Sequence, residues 1–339
     1  MTTTEQYCGG IDIGGTKISS ALFTREGRSI GEARNPIDKA GGDRAAVQVA
    51  EVIGRLGSLA AAQGGRLLSV ALCVPGVVDP KTELVWAPNI AGWDHYPLRD
   101  RIVSRGPDAH QKSAPEAVVP TSLVSDRSAY ILGEQWLGAA RGAQDAVFLA
   151  VGTGIGAGIL AGGRVVHGAG DIAGAVGWLA LNPDFRPEYA TMGCFEAEAS
   201  GDSVGRRAAR LLDQERSSPI RGLAGGDANR VTAEMVAEAA RQGDPLALRV
   251  INETVTYLAM GVANIVSILN PEVVVLGGGL FRSADLLLDS VRREFRRWAQ
   301  PLAAERVRIE CSMLGEDAGL CGCGKLAWDS CDGGSSCRP

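Results

Sequence analysis

The chain carries one local pattern twice: an apolar stretch, a glycine-rich bend, and a second apolar stretch. The first copy is 7–13, the bend Gly14-Gly15-Thr16-Lys17, and 18–23. The second is 146–151, the bend Gly152-Thr153-Gly154-Ile155-Gly156, and 157–160. Two short apolar runs joined by a glycine bend read as a hairpin. Two such hairpins predict two lobes, each built on one of them and facing one another across a cleft. Consecutive backbone N–H groups with no Cβ in the way form a nest for an anion, and Thr16 adds a hydroxyl. Each bend therefore suits a phosphate group, although each alone also suits an ordinary tight turn. A third glycine run, Gly277-Gly278-Gly279 after the β-branched strand read at 272–276, lets a base or ribose approach the backbone closely. The three runs together favour a nucleotide.

Two better-known phosphate loops are excluded by spacing. A Walker A loop needs lysine after the second glycine and a helix beyond it; here Gly15 is followed by Thr16 and then by strand-like residues. The dinucleotide fingerprint needs a third glycine where Ala157 stands, which argues against a dinucleotide enzyme. Asp12, at the end of the first strand, is placed to hold Mg²⁺ through water. Asp126 follows the apolar Leu123-Val124 and opens a helix running to about residue 137. As a helix-start aspartate it suits an N-cap. As a carboxylate near a helix N-terminus it stays ionised at neutral pH and suits orienting and deprotonating an alcohol that attacks a γ-phosphoryl group. Glu196 also opens a helix. His167 has no cysteine or acidic partner evident in the sequence and reads as structural. Trp86, Trp93 and Trp178 read as core or cleft wall.

A length of 339 residues predicts about two domains. The net charge of -5 gives no electrostatic reason to expect nucleic acid as a partner. No run reads as a signal peptide or as long and apolar enough for a bilayer, so the expectation is a cytoplasmic chain without a membrane partner. The eight cysteines then read as reduced thiols. The group from Cys321 to Cys337 lacks a Cys-x-x-Cys pair and a nearby histidine, which argues against a metal site in the tail.

Between the two hairpins, Asp43 suits the N-cap of a helix to about 63, with Val49, Val52, Ile53 and Leu56 on one face. Residues 69–74 read as a buried strand ended by Pro75-Gly76, and 106–121 as a polar loop. The second half reads as helices at 196–213, 232–241, 245–269 and 284–298, strands at 272–276 and 306–311, and a last helix from about 317.

In order, Asp12-Ile13-Gly14-Gly15-Thr16-Lys17, Pro75-Gly76, Ala87-Pro88-Asn89, Asp126, Gly152-Thr153-Gly154-Ile155-Gly156 and Gly193-Cys194-Phe195-Glu196 resemble the ROK family (repressors, open reading frames and sugar kinases) over about residues 7–326. The resemblance implies an α/β, two-lobed actin-like, hexokinase-type (ribonuclease H-like) ATPase fold. The smaller lobe would be 1–125 with a returning C-terminal helix, 317–339, and the larger lobe 126–316 would carry nucleotide and sugar contacts. It implies an ATP- and Mg²⁺-dependent kinase acting on a small-molecule sugar, and a homodimer. Asp12, Gly14, Gly15, Thr16, Lys17, Gly152, Thr153, Gly154, Gly277, Gly278 and Gly279 would meet ATP. Gly76, Asn89, Ser125, Asp126, Ala175, Trp178 and Glu196 would lie at the sugar.

The departures are informative. Family glucose and N-acetylhexosamine kinases usually carry Asn-Asp at the base and Gly-Glu-x-Gly-His in the sugar grip; here stand Ser125-Asp126 and Gly174-Ala175-Val176-Gly177-Trp178. Three cysteine positions of the family's zinc site hold Pro187, Tyr189 and Cys194, so no zinc is expected. An altered grip with intact transfer residues suggests a modified hexose, such as 3-amino-3-deoxyglucose (kanosamine), or glucose held less selectively. A C7-cyclitol of antibiotic biosynthesis and a non-catalytic sugar-sensing regulator are the alternatives. The excess of arginine over lysine suits a GC-rich bacterium such as an actinomycete.

Overall fold

A computed structural model describes residues 5–105, 119–212, 215 and 217–333. Most of the loop expected at 106–121 lies outside these residues, as do Asp213, Cys337 and the tail. In chain order the elements are β1 (Glu5–Ile13), β2 (Lys17–Phe23), β3 (Ser29–Pro36), α1 (Gly42–Ala62), β4 (Gly65–Val74), β5 (Val77–Val78), β6 (Val85–Trp86), α2 (Leu98–Arg105), β7 (Thr121–Ser125) and α3 (Asp126–Leu137). There follow β8 (Ala146–Val151), β9 (Ile155–Ala161), β10 (Arg164–Val165), α4 (Tyr189–Met192), α5 (Cys194–Ala199), α6 (Gly201–Leu211), α7 (Pro219–Leu223), α8 (Ala233–Arg241) and α9 (Pro245–Leu269). The last are β11 (Val273–Gly277), α10 (Ala284–Phe295), α11 (Pro301–Arg306), β12 (Arg308–Cys311) and α12 (Ala318–Cys331).

The chain divides into two compact units. One comprises Met1–Gly142, Gly158–Ala173 and Glu316–Pro339; the other comprises Ala143–Ala157 and Gly174–Gly315. The first therefore extends beyond 1–125 and the C-terminal helix, taking in α3 and the segment 158–173. The reason is packing. Two glycines, one on each of α3 and α12, remove the side chains that would hold these helices apart. A Cβ on Gly133 would lie 2.2 Å from the Ala318 carbonyl oxygen, and one on Gly322 1.8 Å from that of Ala129.

The sheet of the first unit has the order β3-β2-β1-β4-β7. The first hairpin supplies β1 and β2 with Asp12 opposite Ser19. β3 extends it antiparallel, a strand the sequence reading did not anticipate because its exposed, polar residues hide the alternation. β4 and β7 add in parallel, with Asp12 beside Cys73 and Val74 beside Ser125. The carboxyl ends of three parallel strands thus bring residues distant in sequence to one edge, where open α/β sheets hold ligands. Ile11, Ile13, Leu72, Val49, Val52 and Leu56 are fully buried beneath it.

α1 begins after Gly41, with no side-chain cap, so Asp43 lies in the first turn rather than at the cap. Its carboxylate instead accepts from the Tyr96 hydroxyl at 2.8 Å. By length and composition α1 would suffice to cross a bilayer, contrary to the sequence expectation. Its apolar face packs into the core and its other face exposes Glu51 and Arg55.

In the second unit β11 runs parallel to β8 and to β12. The second glycine bend joins β8 to β9, with the Gly152 N–H donating to the Gly154 carbonyl at 2.9 Å. α9 is legible at both ends: Asp244 caps it, Pro245 occupies its first turn, and Asn270 closes it in the left-handed region (φ 43°) before Pro271. The single helix expected at 196–213 is two. Ser200 breaks it and caps α6 by accepting from the Ser203 N–H. The helix expected to Trp298 ends at Phe295, and a short α11 precedes a β12 that starts at Arg308.

Candidate active site

The residues singled out in the sequence fall into two groups, one in each unit. In the first unit the reacting-group candidates are Asp12 and Asp126. Asp12 ends β1; its Oδ1 accepts the Cys73 thiol at 3.2 Å. A Cβ on Gly319, in the first turn of α12, would sit 2.9 Å from Asp12 Oδ2, so glycine there leaves the carboxylate its space. Burial raises the Asp12 carboxyl above its ordinary range, offset in part by the Cys73 thiol and by Lys17.

Asp126 is not the cap of α3. Ser125 is: its hydroxyl accepts from the Ser128 N–H, and Asp126 occupies the first helical position. The capping task falls to serine, which leaves the aspartate carboxylate to other partners. Its Oδ1 accepts from the Arg127 N–H at 2.8 Å and its Oδ2 from the Tyr130 hydroxyl at 3.2 Å. Burial, with the nearby Asp12 charge, pushes its carboxyl up to about 6, against the lowering effect of Arg127 and of both hydrogen bonds. A group of that kind is ionised at neutral pH yet basic enough to take a proton. Burial and the Asp126 charge hold the Tyr130 phenol well above its ordinary value, so it stays a donor.

The first bend closes by the Gly14 N–H donating to the Lys17 carbonyl at 2.8 Å. Gly15 and Thr16 are exposed. Lys17 forms a solvent-exposed ion pair with Glu316 at 2.7 Å, a contact of small energetic worth. A Cβ on Gly15 would lie 3.1 Å from Asn89, so glycine there lets the bend and the Asn89 loop meet without a small shift of either. Gly76 is the stricter case: a Cβ there would be 1.9 Å from the Trp86 carbonyl oxygen. Ser125 is 3 % exposed, with its hydroxyl shared between the Ser128 N–H and Oγ.

In the second unit Gly152, Thr153 and Gly279 line a cavity of about 860 Å³, together with Asp202, Arg206 and Asn229. That volume is in the range of small-molecule sites. The first turn of α6 borders it, and the Gly201 N–H donates to the Gly152 carbonyl at 2.7 Å. Gly277 and Gly278 serve packing: a Cβ on either would strike the Phe148 ring at 2.3 Å or the Val151 carbonyl at 2.5 Å. Of the triple glycine, only Gly279 lines the cavity. Glu196 Oε2 accepts from the Ile155 N–H at 2.7 Å and lies where a Cβ on Gly154 would be 2.7 Å away. Burial raises its carboxyl, offset by that N–H. Ala175 precedes a short 3-10 turn, and Trp178 at its end is 57 % exposed.

Where the family's zinc cysteines would stand, Tyr189 donates its hydroxyl to Glu198 and accepts from Asn182 Nδ2 at 3.1 Å. Cys194 accepts from the Leu181 N–H. Among the described residues no cluster of three or more His, Cys, Asp or Glu side chains is gathered for a metal ion.

Two site residues escaped the sequence reading. Tyr130 was within reach of it, four residues after Asp126 and so on the same helix face. Cys73 was not, since only the pairing of β1 with β4 sets it beside Asp12. His167, read as lacking an acidic partner, has one: Nδ1 lies 2.7 Å from Asp171 Oδ1.

The ROK family model matches residues 8–330. The chain belongs to the ROK family. A glucokinase of Halalkalibacterium halodurans is 30% identical over 320 residues, 94% of this chain and 93% of that one. Among solved ROK structures, a glucokinase from Streptomyces griseus in complex with glucose and AMPPNP is 29% identical, with a TM-score of 0.73 over 95% of this chain and 99% of that one. A ROK hexokinase from Thermus thermophilus is 30% identical, with a TM-score of 0.77 over 97% of this chain and 100% of the other. The α/β architecture is therefore the two-domain actin-like, hexokinase-type ATPase fold.

Proposed function

We propose that this ROK protein transfers the γ-phosphoryl group of ATP to the primary, 6-position hydroxyl of a hexose or modified hexose, with Asp126 as the base. That the chain is an ATP-dependent sugar kinase rests on its family and on near-full-length similarity to glucokinases. The observation that carries the finer reading is Asp126 itself, a carboxylate freed from capping and pushed up to about 6. The hydroxyl oxygen attacks the γ-phosphorus, its proton passes to Asp126, and the bond to the departing ADP oxygen breaks. Such transfer depends mainly on positioning and on charge stabilisation.

The donor's phosphates are assigned to the bends at Gly14–Thr16 and Gly152–Gly154, and its nucleoside to the cavity beside Gly279. Magnesium fits Asp12: a cation there would offset the burial that raises its carboxyl. The ion supplies neutralisation of phosphate charge. Gly76, Asn89 and Glu196 are assigned to the sugar. Ser125 acts on Asp126 through its cap rather than by direct contact.

Glucose is the substrate named for the similar kinases. Ala175 and Trp178, in place of a hydrogen-bonding pair, favour an amino sugar such as 3-amino-3-deoxyglucose or less selective use of glucose, since losing such a pair relaxes selection for the hydroxyls it read. By resemblance the kinase works in the cytoplasm as a homodimer. The test is coupled ADP release with Mg²⁺-ATP over glucose, mannose, glucosamine, N-acetylhexosamines, 3-amino-3-deoxyglucose and a valiolone-type cyclitol. Sugar-dependent release from one hexose supports the reading. A cyclitol-only response moves the substrate to the C7 class. ATP binding with no release from any compound favours the sugar-sensing regulator, the reading that the missing glutamate and histidine at Ala175 and Trp178 support.

A further inference from the structure

The half-buried His167 and the buried Asp171 form a pair in the first unit that the phosphoryl-transfer reading does not use. Asp171 is 5 % exposed, yet its backbone lies in the left-handed region at φ 58°. The neighbouring Gly168 and Gly170 are also left-handed, so the turn is one that glycine suits. A side chain here costs backbone energy that glycine would avoid. The pair holds a second cost. His167 Nδ1 meets Asp171 Oδ1 at 2.7 Å, while Nε2 is buried without a hydrogen-bond partner. The ring's one polar engagement is therefore the carboxylate, and its effect is to fix that carboxylate's direction.

What Asp171 touches gives the pair a task. Its Oδ2 accepts from the Val78 N–H at 3.4 Å, two residues beyond Gly76. Its backbone carbonyl accepts from Arg127 Nη2 at 3.4 Å, and Arg127 follows Asp126 and donates its own N–H to that carboxylate. One strained residue thus joins β5, just after Gly76, to the residue beside the base. Both outer contacts are long, so each is weak alone. The short Nδ1 contact keeps the carboxylate aimed at the Val78 N–H, while the backbone carbonyl of the same residue meets Arg127.

We propose that His167 and Asp171 are positioning residues for the acceptor sugar: the imidazole orients the Asp171 carboxylate, and Asp171 sets β5, just beyond Gly76, against Arg127 and Asp126. The proposal rests on the sugar-kinase reading. It places sugar affinity under the control of residues that do not touch the sugar, and it leaves nucleotide affinity to others.

The decisive variant is Asp171→Gly, because it removes the carboxylate while relieving the backbone. Its melting temperature should equal or exceed that of the unmodified protein, while the sugar KM rises about tenfold and the ATP KM stays within twofold. His167→Phe should raise the sugar KM similarly, and His167→Gln, whose amide can still donate to Asp171, should recover most of the loss. Sugar Kd, followed by tryptophan fluorescence with Trp86 half-exposed beside Gly76, reads the same effect without turnover. A lower melting temperature with unchanged sugar KM and Kd would reduce the pair to a structural tie and overturn the proposal. So would equal rises in sugar and ATP KM. Should the unmodified protein neither turn over nor bind any sugar, the kinase reading itself fails and takes the proposal with it.

Discussion

Replacing Tyr130 by phenylalanine tests the base assignment through its pH dependence. The Tyr130 hydroxyl donates to Asp126 Oδ2 at 3.2 Å and favours the ionised carboxylate. The contact is long for a hydroxyl donor, so its loss is taken at the low end of hydrogen bonds to charged groups, about 1.5 kcal/mol. At 1.36 kcal/mol per pKa unit this raises the carboxyl by about one unit, from about 6 towards 7. The sign is fixed: removing a donor to the charged form makes proton loss harder. The acid limb of kcat/KM, which reports the free enzyme, should therefore move up by about one pH unit. The ionised fraction at pH 7 then falls from about nine-tenths to about one-half, so activity roughly halves there and is recovered by pH 9. Tyr130 itself stays protonated across that range because burial and Asp126 hold its phenol well above the ordinary value. The assay is coupled ADP release against sugar concentration from pH 5 to 9. An acid limb that stays in place or moves down would refute Asp126 as the titrating base, and a uniform loss at every pH would mean that Tyr130 acts by packing.

Asp126→Asn should reduce kcat by about a hundredfold or more while stabilising the fold. A carboxyl raised in the folded state loses stability as pH rises from its unfolded value near 4 through about 6. The variant should therefore gain up to about 3 kcal/mol in denaturant unfolding at pH 8 and nothing at pH 3. Gly319→Ala places a methyl 2.9 Å from Asp12 Oδ2; the Mg²⁺ concentration for half-maximal activity should rise several-fold, and an unchanged Mg²⁺ titration would remove Asp12 from that role. Arg207→Leu removes the 2.8 Å partner of Glu198 Oε2 while Arg186 and Tyr189 remain on Oε1, at a cost of about 1.5–3 kcal/mol for a lost hydrogen bond to a charged group, which urea unfolding would register as a lower midpoint at unchanged slope.

Local chemistry alone made much of the molecule legible. Both hairpins, their glycine bends, α9 with its cap and its stop, and the position of Asp126 at a strand-to-helix junction follow from short-range rules of periodicity, capping and backbone freedom. The break at Ser200 is signalled locally by Ser200-Gly201-Asp202-Ser203, poor helix formers that the expected continuous helix overrode; the serine caps α6 as the Gly201 N–H turns to Gly152. β3 was missed because an edge strand with polar residues on both faces carries no alternation.

The site divides along the same line. Residue type and order named Asp12, Asp126, the glycines and Glu196, because phosphate nests and carboxylate bases need particular side chains in particular local settings. Tertiary structure decided what those side chains do. Strand register put Cys73 on Asp12, the Ser125 cap released Asp126, and the glycines of α3 and α12 brought those helices into contact. It also turned His167 from an isolated residue into the partner of Asp171, and gave only one glycine of three to the cavity. Sequence determines which groups are present and how the chain bends within a few residues. Burial, which sets the Asp126 carboxyl near 6, and contacts across dozens of residues arise only when distant segments exclude water together.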